Sequence, residues 1–236
     1  MSRGHILNRP LQRVWLDAAL RAVREYPEDE DRRLGVLSEV LDESELGSMA
    51  RQKTLVILRK IWWEPRPEAS AMIKWAIQSE HPADTRVLHI GAMLANFPFT
   101  GDVYRSIGNV LKRGSSVSSA ETRRRVVGEW GDRESIHKAV LMAINTLISL
   151  EILGGDRLSD ERSLVGHLDV PERIGGWLTH ALILTRNADS VDRERVWTAP
   201  ELFPFDATNP SITNYPLLES FNEGGSRVVI VPKTVA

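Results

Sequence analysis

The 236-residue chain contains no cysteine, which excludes disulfides, thiolate metal sites and cysteine nucleophiles and fits a reducing compartment. It has no excess of either charge. Thirty Lys and Arg stand against 32 Asp and Glu, so affinity for nucleic acid has to come from local basic clusters and not from the chain as a whole. No apolar run approaches the roughly 20 residues that cross a bilayer. Met1-Ser2-Arg3-Gly4-His5 lacks the apolar core and small-residue cleavage site of a secretory signal. The sequence therefore reads as cytoplasmic, with no membrane partner. Also missing are a phosphate-binding glycine loop, a Gly-x-Ser-x-Gly elbow and a two-histidine zinc helix. His81 and His89 have no acidic partner at metal spacing, and Asp160-Glu161 and the run Glu28 to Asp31 have the pattern of solvated faces or caps. No metal, cofactor or catalytic residue is expected; the enzymatic alternative is a nuclease centre of acids and a lysine gathered from distant segments.

What is present is mostly helical periodicity. At 42% hydrophobic and 26% charged, the chain can bury a real core. The predicted fold is mainly α in three parts: a helical bundle over 1–96, a winged helix-turn-helix domain over 97–170, and a C-terminal helix with a β-hairpin over 171–236. In the bundle, Pro10 suits a first helical position, and Leu11, Val14, Trp15, Ala18, Ala19 and Ala22 form one apolar face. The acids from Glu28 to Asp31 precede a second helix with Leu34, Leu37, Val40 and Leu41. Ser48 is placed to cap a third, with Met49, Leu55, Ile57, Leu58, Ile61 and Trp62, and two further helices follow at about 67–79 and 83–95. Trp62-Trp63 and Trp75 fit a core better than an aromatic platform for bases.

The middle third carries the functional argument. From Thr100, an apolar stripe of Val103, Tyr104, Ile107, Val110 and Leu111 ends at Lys112, Arg113 and Gly114. Ser118 and Glu121 match a capping box that opens a helix with Thr122, Val126, Val127 and Trp130. Gly131 supplies a break with positive φ, and Asp132 a cap for the next helix. That helix turns Ile136, Ala139, Val140, Ala143, Ile144, Leu147 and Ile148 inward, and its other face offers Arg133, Ser135, His137, Lys138, Met142 and Asn145 as groups for phosphate and base edges. Glu151 to Leu153 and Ser163 to Val165 flank Gly154-Gly155-Asp156-Arg157, a hairpin tip that brings Arg157 and Arg162 toward phosphate. The candidate nucleic-acid-binding set is Lys112, Arg113, Arg123, Arg124, Arg125, Arg133, Ser135, His137, Lys138, Asn145 and Arg157, with double-stranded DNA as the partner. Three features weaken it: three consecutive arginines point in three directions, nearby acids neutralise charge, and Glu134 repels phosphate.

Toward the C-terminus, Asp169 and Glu172 resemble a capping box around Pro171, opening a helix with Ile174, Trp177, Leu178, Ala181, Leu182 and Leu184. Trp197 to Phe205 is apolar and proline-broken and suits a turn clamped on the core, with a groove for a partner peptide as the alternative. Segments 219–221 and 227–231 read as a terminal hairpin around Asn222 to Ser226, with an edge that offers pairing to a neighbour.

Phe97-Pro98-Phe99, a helix, a polar stretch, then Trp130-Gly131-Asp132-Arg133 and a long helix ending Leu147-Ile148-Ser149-Leu150-Glu151-Ile152-Leu153 together resemble BrxA-type accessory proteins of bacteriophage-exclusion (BREX) systems. The resemblance covers the middle of the chain and rests on the order of patterns. It implies a small, non-catalytic DNA-binding protein of a bacterial antiviral defence system, with other subunits of a defence complex as partners. The alternative is a scaffold or adaptor whose winged helix docks a protein.

Overall fold

The computed structural model describes residues 6–79, 84–156, 159–206, 215–224 and 227–233. Helix α1 (Arg13–Glu25) buries Trp15, Leu16, Ala18, Ala19, Leu20, Ala22 and Val23, the expected face apart from Val14, which is exposed. Pro10 stands before this helix and not at its first position. The Leu11 N–H donates to Thr146 Oγ1 (3.0 Å) and the Arg13 N–H to Ser149 Oγ (3.2 Å), so the lead-in segment is held by a distant helix and α1 starts later.

Helix α2 (Glu30–Asp42) is capped by Asp29, whose carboxylate accepts from the Arg32 N–H, and it buries Leu37 and Leu41. Helix α3 (Ser48–Trp62) has Gly47 at its cap, with Ser48 already inside the first turn. Met49, expected inward, is exposed, whereas Ile57, Leu58, Ile61 and Trp62 are buried. Trp63 and Trp75 are half-buried against the core. Helix α4 (Pro67–Gln78) has its proline at the first position, where the missing N–H costs nothing. Helix α5 (Arg86–Asn96) is buried all round from Val87 onward; the expected start at Ala83 falls outside the described residues.

Helix α6 (Pro98–Leu111), strand β1 (Ser116–Ser118), helix α7 (Ser119–Trp130), helix α8 (Glu134–Ser149) and strands β2 (Leu153–Gly154) and β3 (Glu161–Leu164) follow. The three strands form an antiparallel sheet in the order β1-β3-β2, with Val117 opposite Arg162 and Leu153 opposite Leu164. Strand β4 (Leu168–Asp169) leads into helix α9 (Glu172–Arg186). Asp169 does not cap this helix, because it is paired in parallel with Asp206 of strand β6 (Phe205–Asp206), and Pro171 occupies the cap. Strands β5 (Val191–Asp192), β7 (Leu218–Asn222) and β8 (Val228–Pro232) make a second antiparallel sheet, β5-β8-β7. The expected terminal hairpin is thus present, with Gly225 and Ser226 of its turn outside the described residues.

Among the described residues the architecture is mainly α, with nine α-helices and small sheets. Helix α9 is its centre. It buries eleven of its residues from Ile174 to Thr185 and packs against α4, α5 and α6, so segments 1–96, 97–170 and 171–236 share one continuous core. The α5–α9 crossing is close enough that a Cβ on Gly91 would lie 2.1 Å from the Trp177 ring. Trp177 Nε1–H donates to the Met72 carbonyl (3.0 Å), which leaves this buried indole satisfied. The segment from Trp197 to Phe205 does clamp onto the core: a short 3-10 turn, Pro200–Leu202, lies so near α6 that a Cβ on Gly108 would be 2.0 Å from the Pro200 carbonyl oxygen. No helix among the described residues is long and apolar enough to cross a membrane.

Candidate nucleic-acid interface

The turn between α7 and α8 is built on Trp130 and Gly131. Trp130 meets Phe99 edge to face at 5.0 Å, and its Nε1–H donates to Asp102 (2.8 Å). Burial pushes the Asp102 carboxyl up, against the pull of Arg105 and of that indole hydrogen bond. Arg105 also reaches Glu129 (2.6 Å), tying α6 to the end of α7. Gly131 has φ +88° and ψ 154° and donates its N–H to the Val127 carbonyl, a combination side chains disfavour. Asp132 is not the cap of α8. Arg133 holds that position without a side-chain hydrogen bond, while the Asp132 carboxylate accepts from His137 Nε2 (2.6 Å).

The opposite end of α7 is fixed by the sheet. Ser118 accepts from the Glu121 N–H (3.0 Å) as the capping box predicts, but the Glu121 carboxylate turns to Arg125 (2.8 Å) instead of closing the box. Asp160 supplies what Glu121 does not: its carboxylate accepts from the Ala120 N–H (3.0 Å) and its carbonyl from the Ser119 N–H (3.4 Å). The β2–β3 connection therefore caps α7 directly, satisfying donors that a helix start leaves open. The Arg162 guanidinium donates to the carbonyls of Asp156, Ser159 and Glu161, so it shapes the connection instead of standing free for phosphate.

On α8 the inward residues are those the periodicity selects, with Ile148 half-buried. Arg133, Ser135, Lys138 and Asn145 are exposed; His137 and Met142 are half-buried. Glu134 lies 3.3 Å from Lys138, with both side chains well exposed, a pair worth at most about 1 kcal/mol and open to exchange for another anion. Arg133 also donates to the Trp130 carbonyl (3.0 Å). The bonds from Leu11 and Arg13 to Thr146 and Ser149 buttress the C-terminal half of this helix and leave its first turns open.

The Arg123, Arg124 and Arg125 triplet is not one patch. Successive helical residues project about 100° apart. Arg123 is half-buried, Arg124 points to solvent, and Arg125 lies over Glu121 in a groove of about 240 Å³ shared with Asp102, Arg105, Asn109 and Glu129. Lys112 is committed in part, its ammonium donating to the Thr198 carbonyl. Among the described residues Arg113, Arg123 and Arg124 have no ion-pair partner, and Arg157 lies outside those residues. The roles of β1, Asp160 and Arg105 are not legible in the sequence, because a three-residue strand has no measurable periodicity and the two side chains act on partners 40 and 24 residues away. Compared with protein-family models, with curated proteins and with solved structures, the chain matches none of them.

Proposed function

We propose that residues 97–170 form a winged helix-turn-helix that binds double-stranded DNA, within a non-catalytic accessory protein. The observation that carries this reading is the succession α6, β1, α7, α8, β2, β3 with β3 central in its sheet. The first turns of α8 are exposed and a hairpin follows the helix in the chain, the order of elements in which a second helix enters the major groove. Arg133, Ser135, Lys138 and Asn145 then face base edges and phosphate, and Arg113 and Arg124 add phosphate contacts outside the groove. The resemblance to BrxA-type proteins supports a place in a cytoplasmic antiviral defence system, with other subunits as partners.

The test is fluorescence anisotropy with labelled duplex DNA across a salt series. Affinity should fall steeply with salt, and Arg124→Ala, Arg133→Ala and Lys138→Ala should each weaken binding, the phosphate contacts lowering the salt slope by about 1 apiece. Arg125→Ala should change little, since Glu121 already holds that guanidinium. A folded protein that binds no duplex at low salt overturns the reading.

A second reading, docking of a protein by the same helix, is favoured by one observation: Asp132 and Glu134 at the start of α8 are 81% and 76% exposed and repel phosphate. Glu134→Gln separates the two. It strengthens DNA binding if α8 enters a groove and weakens capture of a basic partner surface if it does not.

A further inference from the structure

We propose that the cleft between the end of α6, strand β3 and the Trp197 to Phe205 segment binds a small amphipathic anion, a molecule with an aromatic or branched apolar body and one negatively charged head. The cleft has a volume of about 410 Å³, in the range of sites that enclose small ligands. Leu111, Leu164, Trp197, Phe203 and Phe205 form its walls. Trp197 and Phe203 are only half-buried, so aromatic surface is left facing water in a concave site, where an apolar body gains most by covering it.

The polar side chains favour a negative head. Lys112, His167 and Ser115 lie along the cleft, and none of the residues that line it is a carboxylate. The Lys112 ammonium uses one N–H on the Thr198 carbonyl, which fixes its place and leaves two donors. His167 is exposed and has no hydrogen-bond or ion-pair partner among the described residues. The carbonyl end of α6 also points this way; Lys112 and Arg113 offset its partial negative charge. The site is independent of what α8 binds, since no residue of α7 or α8 lines it.

The probe is 8-anilinonaphthalene-1-sulfonate, titrated calorimetrically into the full chain beside its uncharged analogue N-phenyl-1-naphthylamine. The sulfonate should bind saturably at one site and more tightly than the neutral dye. Lys112→Ala/His167→Ala should weaken it about tenfold and erase its advantage over the analogue, in line with loss of charged hydrogen bonds. Ser115→Trp, at an exposed position on the mouth, should abolish binding while melting as the parent does. Non-saturable binding, equal affinity for the two dyes, or binding unchanged in folded Ser115→Trp overturns the proposal.

Discussion

His89 and His180 are both withdrawn from water, and each is settled by a different neighbour. His89 is fully buried, with Nε2 2.9 Å from Asp17 Oδ1. Burial pushes its pKa down more than Asp17 raises it, so the ring is neutral and donates to the carboxylate. The bond to His89, with help from Thr85 and Arg13, holds Asp17 down at about 2 against burial. His180 is 6% exposed, its Nδ1 3.1 Å from the Tyr215 hydroxyl, and burial alone pushes it down to about 4. An unfolded histidine titrates near 6.5, so between about pH 6.5 and 4 the unfolded chain binds more protons than the folded one, and stability falls as pH falls through that window. Asp17 adds its own loss only lower, between about 3.8 and 2. His180→Gln, which keeps a polar group but no titration, should therefore flatten the decline in denaturation midpoint between pH 6.5 and 4.5, leaving the part due to His89. An unchanged slope would refute the burial account. In the sequence His89 reads only as a non-ligand and nothing singles out His180; their partners lie 72 and 35 residues away, beyond what local spacing carries.

At the scale of elements, helix faces were legible and helix starts less so, although Ser118 at α7 and Pro67 at α4 stand where the sequence placed them. Seven apolar residues of α8 recur at three and four, and all are inward or half-buried, because one stripe per helix follows directly from 3.6 residues per turn. Starts depend on which side chain reaches which open N–H. Four expected placements, Pro10, Ser48, Asp132 and Asp169, gave way to tertiary bonds, to neighbouring cap residues or to strand pairing. The α7–α8 break was legible too, since only glycine tolerates its backbone cheaply. A Cβ at Gly131 would meet nothing within 4 Å, so any effect of Gly131→Ala is conformational and not steric. At φ +88° and ψ 154° the expected loss is about 1–3 kcal/mol, measured by urea denaturation. Gly128→Ala, also unobstructed and inside α7, should instead stabilise by a few tenths to about 1 kcal/mol through helix propensity. Equal effects of the two would show that position 131 is not strained.

For the molecule as a whole, the three sequence segments are joined by α9 and by two arginines at its C-terminal end. Arg66 donates to the carbonyls of Ala95 and Leu184, satisfying the open ends of α5 and α9 at once, and desolvation there lowers its pKa. Arg186, at the last position of α9, grips Glu201 through two bonds of 2.9 and 2.7 Å, and so fastens the 3-10 turn that covers α6. The pair is unequal: the Glu201 side chain is 1% exposed and that of Arg186 33%. Removing Arg186 strands a buried carboxylate, whereas removing Glu201 leaves a guanidinium that water still reaches. Breaking a buried pair costs about 3–5 kcal/mol, and the exposed side of Arg186 sets the expectation at the lower end, about 3 kcal/mol for Arg186→Met. Glu201→Met should cost less. The double variant should be more stable than the sum of the two predicts, because an apolar pair of similar bulk no longer buries a charge. Denaturation of all four proteins at pH 7 gives the coupling; strictly additive losses would mean that the turn is held by Leu202 and the packing at Gly108 alone, with the ion pair contributing nothing.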